Sequence, residues 1–141
     1  MQQDRDIWDK MTLNSEIIWK ENCPFCKLEK DEKQLLIFES HYWEIRQNKY
    51  PYWWIKKHIL IFPKRHVELT KNLNDDELID IKNIHNFLYN YYKWKEYFSF
   101  IRETFKGRSI KHLHYHYMPW NIYSNEFSTI LNKQWYSKWK I

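Results

Sequence analysis

The sequence predicts a single α+β domain, with a mostly antiparallel five-stranded sheet, one long helix and an N-terminal helix. Three observations support this prediction. The chain has 141 residues, the usual length of one domain. Several short apolar or alternating segments are typical of strands, and one long segment between them has helical periodicity. Aromatic residues make up 20% of the chain, far more than a disordered segment carries, so a packed core is expected.

The predicted elements follow one another in the order α-β-β-β-α-β-β. An N-terminal amphipathic helix is expected within residues 1–20, where apolar residues have near-helical spacing. Strands are expected at residues 34–39, 42–46, 58–62, 97–104 and 110–118. The long helix is expected to begin at Asn74, a capping residue followed by three acids, and to end near Lys95. The domain core is therefore placed at residues 21–119, and the Trp-rich residues 120–141 form a C-terminal tail.

Composition and charge exclude several classes of protein. No run of about 18 apolar residues is present, so a membrane protein is not expected. The first ten residues are polar and acidic, unlike a secretory signal, which favours a cytoplasmic location. Lys and Arg (23) exceed Asp and Glu (18), and the resulting charge of +5 is spread along the chain. This balance suits phosphate ligands, but a nucleic-acid partner is not expected without a dense basic block.

Both cysteines of the chain lie in the motif Cys23-Pro24-Phe25-Cys26. In an intracellular protein this spacing is typical of a metal knuckle or a redox pair, not of a disulfide framework. No βαβ pattern surrounds the motif, which disfavours a thioredoxin-like role. A metal knuckle is therefore the favoured interpretation, and a reduced thiol pair with chance spacing is the alternative.

Three of the seven histidines alternate with other residues in His112-Leu113-His114-Tyr115-His116. Alternate residues of a strand share a face, so the spacing predicts a row of imidazoles about 6.6 Å apart per step. Leu113 and Tyr115 are then directed toward the core. A neutral imidazole is a nucleophile, a general acid or base and a zinc ligand near pH 7, and phosphoryl chemistry uses all of these properties. A row of solvent-facing polar residues is the alternative.

The segment from His112 to Met118 resembles the signature of the histidine-triad (HIT) family, in which three histidines alternate with apolar residues. Three further segments resemble that family and occur in its order: the C-x-x-C at a zinc knuckle, Asn48-Lys49-Tyr50-Pro51-Tyr52, and His58 to His66 as a central strand that runs into Pro-Lys-x-His. The resemblance covers roughly residues 20–120. It implies a HIT-like fold in the zinc-knuckle-bearing branch and a homodimer.

The resemblance also implies hydrolysis at the α-phosphate of a nucleotide, either a nucleoside phosphoramidate or a dinucleoside polyphosphate. His114 would attack phosphorus and form a nucleotidyl-histidine intermediate, which water or another acceptor releases. His116 would donate to the phosphate oxygens, and His58 would orient His114 through a hydrogen bond within the triad. Ser109 would contact the leaving group. Histidine at the third triad position, where the transferase branch has glutamine, favours a hydrolase over a nucleotidyltransferase.

Two further residues are expected to bind the substrate. Asn48 would contact the ribose or a phosphate, by the same resemblance. Arg108 replaces the glutamine of many family members, and its guanidinium suits phosphate because it can donate two hydrogen bonds to anionic oxygens. The alternatives to an enzyme are a non-catalytic nucleotide-binding protein and an RNA-contacting zinc protein.

Zinc-bearing HIT proteins bind the ion through the knuckle, the histidine after Pro-Lys-x and the first histidine of the triad. In this chain those residues are Cys23, Cys26, His66 and His112. Zinc prefers four such ligands in a tetrahedron, and a site closed by four protein ligands is structural. The resemblance therefore implies a structural Zn²⁺ whose loss destabilises the fold.

Overall fold

The structure is a computed structural model that describes residues 23–27, 30–51, 55–93, 96–103, 108, 110–119, 125 and 129. The N-terminal helix expected within residues 1–20, Ser109 and nearly all of the tail at 120–141 lie outside the described residues. In the part of the chain that is described, no helix is long and apolar enough to cross a membrane.

The described elements form an α+β domain built on one antiparallel sheet. In chain order they are a 3-10 helix (Lys30–Leu35), β1 (Leu36–Glu39), β2 (Trp43–Gln47), β3 (Ile59–Pro63), a second 3-10 helix (Thr70–Asn72), α1 (Asp75–Tyr91), β4 (Tyr97–Ile101) and β5 (Tyr115–Pro119). The five strands lie in the order β1-β2-β3-β5-β4, and every neighbouring pair is antiparallel. The expected fold class, with five strands and one long helix, is confirmed.

The two faces of the sheet differ chemically, because successive side chains of a strand point to opposite faces. One face is apolar and packs with helix α1 in the core, which contains Trp43, Ile45, Ile59, Ile61, Leu113 and Tyr117 together with Ile84 and Leu88 of the helix. The other face carries Arg46 opposite Leu60, Leu60 opposite His116, and His116 opposite Phe100. The sheet therefore separates the apolar core from a polar face that holds the histidine chemistry.

Helix α1 begins as the sequence indicates. The side chain of Asn74 accepts a hydrogen bond from the Glu77 backbone N–H, and the Glu77 carboxylate accepts one from the Asn74 backbone N–H, both at 2.9 Å. Arg65 donates to the same carboxylate from Nε at 2.8 Å and from Nη2 at 2.9 Å. The helix ends at Tyr91, about a turn earlier than expected. It cannot continue through Lys93, whose φ of 52° is left-handed.

The fifth strand is shorter than expected and contains only one of the three alternating histidines. It begins at Tyr115 rather than near residue 110, so that His116 alone lies within it. The Leu113 backbone N–H donates at 2.7 Å to the carbonyl oxygen of Val67, outside the sheet, so the chain joins the ladder only after this point. The expectation of a regular row of three imidazoles on one strand is therefore wrong for the first two.

Candidate active site and metal site

A cleft opens on the polar face of the sheet. His114 and His116 line it together with Asn48. His114 keeps 8% of its surface exposed and His116 keeps 3%, so both rings form the floor of the cleft instead of its rim. Two of the three alternating histidines thus face an open cleft.

The ring of His114 is oriented by the backbone. Its Nδ1 lies 2.7 Å from the carbonyl oxygen of His112. Because a carbonyl oxygen can only accept, Nδ1 carries the proton, and in the neutral ring the lone pair is on Nε2. The ring of Phe25 packs edge-on against His114, with centroids 5.3 Å apart and an interplanar angle of 70°. A fixed tautomer with the lone pair on Nε2 is the form of imidazole that can attack an electrophile.

His58 is fully buried behind the cleft, and it contacts His116 of the triad. Nε2 of His58 lies 2.9 Å from Nδ1 of His116, and the side-chain nitrogen of Asn48 lies 3.2 Å from the same Nε2. These three residues form a connected chain that sets the orientation of His116. The resemblance implied a hydrogen bond from His58 within the triad that orients His114; a contact of His58 goes to His116, and the carbonyl oxygen of His112 holds Nδ1 of His114.

An arginine that lines the cleft is not the one that the sequence predicts. Arg108 was expected to bind phosphate, but its Nη1 donates to the carbonyl oxygen of Glu68, and it is not among the described residues that line the cleft. Arg102, which was not expected in the site, lines the cleft beside both histidines. The sequence carries one signal for it, because Phe98, Phe100 and Arg102 alternate and therefore share a face. The alternation therefore predicts which face of the sheet Arg102 shares, but not that this face forms a cleft.

The four expected metal ligands lie together. The ligand atoms of Cys23, Cys26, His66 and His112 all lie within 4.8 Å of one another. Sγ of Cys26 is 3.2 Å from Nδ1 of His66 and 3.6 Å from Nδ1 of His112, and Sγ of Cys23 is 3.5 Å from Nδ1 of His112. The backbone N–H groups of Cys26 and Lys27 donate to the Cys23 carbonyl oxygen, which closes the turn. These four side chains can hold a metal ion.

The surroundings of His112 prepare it as a ligand. Its Nε2 donates to the carbonyl oxygen of Pro63 at 2.7 Å, which leaves the lone pair of Nδ1 directed at the two cysteines. Burial lowers the pKa of His112 to about 4, so the ring is neutral at physiological pH. Burial also raises the pKa of the Cys23 thiol to about 11. A cation at the site would favour the thiolate and offset that effect of burial.

Arg46 holds the turn at residues 23–26, which carries the two cysteines, against the sheet. Its Nη1 donates to the carbonyl oxygen of Pro24 at 3.1 Å, and its Nη2 donates to that of Phe25 at 3.2 Å. The Glu44 carboxylate pairs with the same guanidinium at 2.6 Å. The Phe25 ring stacks on Phe62, with centroids 4.3 Å apart and an interplanar angle of 9°. Because Pro24 and Phe25 line the cleft, this turn is also one wall of the candidate active site.

Comparisons with known proteins agree with this arrangement. A hypothetical protein from Leishmania major shares the fold at 17% sequence identity and a TM-score of 0.61, over 87% of this chain and 100% of that chain. A HIT family hydrolase from Legionella pneumophila Philadelphia 1 has 25% identity and a TM-score of 0.56, over 71% of this chain and 94% of that chain. A HIT family hydrolase from Clostridium thermocellum has 26% identity and a TM-score of 0.57, over 72% of this chain and 92% of that chain. A search among curated proteins returned no match. The family described as "Protein similar to CwfJ C-terminal" matches residues 9–132. Because this match spans most of the chain, the protein belongs to that HIT-like family.

Proposed function

We propose that the protein is a hydrolase that acts at the α-phosphate of a nucleotide, with His114 as the nucleophile. The observation that carries the proposal is the 2.7 Å hydrogen bond from Nδ1 of His114 to the His112 carbonyl oxygen, in a ring that lines the cleft. This bond places the lone pair on Nε2, so the ring can attack without first losing a proton. The likeness to two HIT family hydrolases supports the same class of activity.

In the first step, Nε2 of His114 attacks the α-phosphorus. The bond from phosphorus to the leaving group breaks, and the leaving group keeps the electron pair. The ring of the nucleotidyl-histidine is then cationic, and its Nδ1–H remains bonded to the carbonyl oxygen of His112, which stabilises that charge. His116, whose ring centroid lies 5.1 Å from that of His114, is placed to hydrogen-bond the phosphate oxygens. Phosphoryl transfer needs mainly such positioning and charge stabilisation.

In the second step, water attacks the same phosphorus from the side opposite His114. The bond between phosphorus and Nε2 breaks, its electron pair returns to the imidazole, and a nucleoside monophosphate leaves with one proton released. The chain of Asn48, His58 and His116 keeps its contacts through both steps, so the ring that holds the phosphate does not have to reorient. An environment that needs no reorganisation during the reaction lowers the barrier.

The substitution His114→Ala tests this mechanism. We expect monophosphate release from adenosine phosphoramidate and from diadenosine triphosphate to fall by at least about 10³-fold, while nucleotide binding persists. Chromatography measures the release, and acid quenching with a labelled substrate traps the adduct in the wild-type protein. The matched control is His41→Ala, because His41 is exposed and does not line the cleft. Release at the wild-type rate in the His114 variant would disprove the mechanism, and a wild-type protein that forms no adduct would favour nucleotide binding alone.

We also propose that the ion held by the four ligands is Zn²⁺ with a structural role. A tetrahedral ion with bonds of about 2.3 Å to sulfur and about 2.0 Å to nitrogen separates those atoms by about 3.5 Å. The sulfur–nitrogen distances of 3.2, 3.5 and 3.6 Å in the site support this choice. Zinc bound there joins the turn at residues 23–26 to the segment that follows β3 and to the segment that precedes β5. Elemental analysis should find about one zinc per chain, and a content below about half would contradict the assignment.

A further inference from the structure

Arg102 follows directly on strand β4, and the pairing of β4 with β5 determines where it lies. Phe100 is opposite His116 in that pairing. The last pair of this ladder is Ile101 opposite Tyr115, so Arg102 and His114 each lie one residue beyond it, at the same end of the two strands. The guanidinium and the proposed nucleophile therefore start from neighbouring positions, and both line the cleft.

The backbone on both sides of Arg102 is held in place. The ring of Phe100 stacks on that of His116, with centroids 4.6 Å apart and an interplanar angle of 2°. The Glu103 carboxylate accepts a hydrogen bond from the backbone N–H of Thr70, at the second 3-10 helix. Because its neighbours are fixed, the backbone that carries Arg102 is in place at the cleft before a ligand binds. Preorganised groups bind a ligand more tightly because less freedom is lost on binding.

The order of the strands places Arg102 and Asn48 on opposite sides of the histidines. Asn48 follows β2, Arg102 follows β4, and β3 and β5 lie between them. Three strand spacings of about 4.8 Å make about 14 Å across the sheet, which a nucleotide with an extended leaving group can span. If Asn48 contacts the ribose and the histidines contact the attacked phosphate, the leaving group lies toward β4.

The charge of the cleft favours an anionic ligand. Three cationic side chains, Arg46, Lys49 and Arg102, and one carboxylate, that of Glu32, are among the described residues that line it. Arg46 and Lys49 have carboxylate partners in Glu44 and Glu32, at 2.6 and 2.5 Å. Both of these pairs lie on the β2 side of the cleft, and Arg102 is the cation of the lining on the β4 side. A guanidinium is suited to this task, because its planar fork donates to two phosphate oxygens at once.

We infer that Arg102 binds the phosphates of the leaving group, and that the substrate is a nucleotide with an anionic leaving group, such as a dinucleoside polyphosphate, not a phosphoramidate. The inference rests on the proposed function, since it assumes that attack occurs at His114. It assigns selectivity between two kinds of substrate to one side chain. The amine that leaves a phosphoramidate offers no anionic oxygen to this guanidinium.

Equilibrium binding tests the inference without requiring turnover. Calorimetry would compare AMP with α,β-methylene-ADP, whose P–C–P link resists hydrolysis, on the wild-type protein and on Arg102→Gln. We expect the extra phosphate to tighten binding to the wild-type protein by about 10- to 100-fold, as charge-assisted hydrogen bonds do, and to give less than about 2-fold in Arg102→Gln. Arg102→Lys, which keeps the charge but not the fork, should retain part of the gain. The control Lys82→Gln removes one positive charge from an exposed position on helix α1. This variant should keep the whole gain in affinity from the extra phosphate.

The outcomes separate this inference from the proposed function. If the gain from the extra phosphate persists in Arg102→Gln, or is absent in the wild-type protein, Arg102 does not bind the leaving group, and the test with His114→Ala still decides the mechanism.

Turnover gives a second readout. Arg102→Gln should lower kcat/KM for diadenosine triphosphate at least about 10-fold more than kcat/KM for adenosine phosphoramidate. An equal loss for both substrates would overturn the inference, because Arg102 would then act on the attacked phosphate.

Discussion

Zinc is expected to raise the thermal stability of the protein by an amount that can be worked out. Cys23 and Cys26 are separated in sequence from His66 by about 40 residues and from His112 by 86–89, so the unfolded chain cannot bring the four ligands together. An ion that binds only the folded state adds about 2.7 kcal/mol at a free concentration one hundred times its Kd. The unfolding entropy of 141 residues is about 0.3 kcal/mol per kelvin. The expected rise in Tm is therefore about 9 °C.

Thermal unfolding followed by circular dichroism measures this shift. The protein is first stripped with a chelator and then melted with and without buffered Zn²⁺. His66→Gln removes the half-buried ligand and should abolish most of the shift, whereas His41→Gln, at an exposed turn, should leave it intact. A shift of less than about 2 °C in the wild-type protein, or an equal shift in His66→Gln, would refute the assignment of these four residues to a structural zinc site.

Two further predictions concern the groups that support the site. Hydrogen bonds from Arg65 hold the pKa of Glu77 below its ordinary value of 4.5, so this carboxylate stabilises the fold above pH 4.5, and its contribution is lost as the pH falls through the lowered pKa. Glu77→Gln should therefore flatten the loss of stability on acidification, measured by urea unfolding. Phe25→Ala removes the ring between Phe62 and His114 and should cost about 3–5 kcal/mol of stability and lower kcat.

Each of these predictions has a result that contradicts it. An acid profile of Glu77→Gln that parallels the wild-type profile would show that another carboxylate governs the acid response. A wild-type kcat in Phe25→Ala, at a temperature where the variant is folded, would show that the edge contact does not position His114. Phe38→Ala is a suitable control for the second test, because Phe38 stacks on Phe87 at the helix side of the sheet and not at the cleft.

Local signals in the sequence predicted most of the elements of the fold. Asn74 and Glu77 form the expected capping box because that signal needs only four neighbouring residues. Alternation likewise placed Leu113 and Tyr115 against the core. The predicted start of β5 was wrong because the hydrogen bond between Leu113 and Val67 joins parts of the chain that are far apart in sequence. No local sequence pattern predicts such a contact.

The sequence predicts those residues of the candidate site that belong to recognisable motifs. The four metal ligands come together as the resemblance implied, and His114 lies in the cleft. The contacts between the side chains of the site are harder to predict from the sequence. Whether His58 meets His114 or His116 depends on ring orientations, and the choice between Arg102 and Arg108 depends on which loop turns toward the cleft. Both are settled by tertiary packing.

The alternation of imidazole and apolar side chains around β5 limits how this chain can evolve. Leu113 belongs to the core cluster that contains Ile84 and Leu88, whereas His114 lines the cleft, so a single residue inserted before Tyr115 would displace at least one of them from its place. A buried imidazole without partners is unfavourable, so stability and chemistry would fail together. Insertions and deletions in this short stretch are therefore opposed by two separate requirements, a filled core and a complete cleft, whereas substitutions that conserve its length can still change the lining of the cleft.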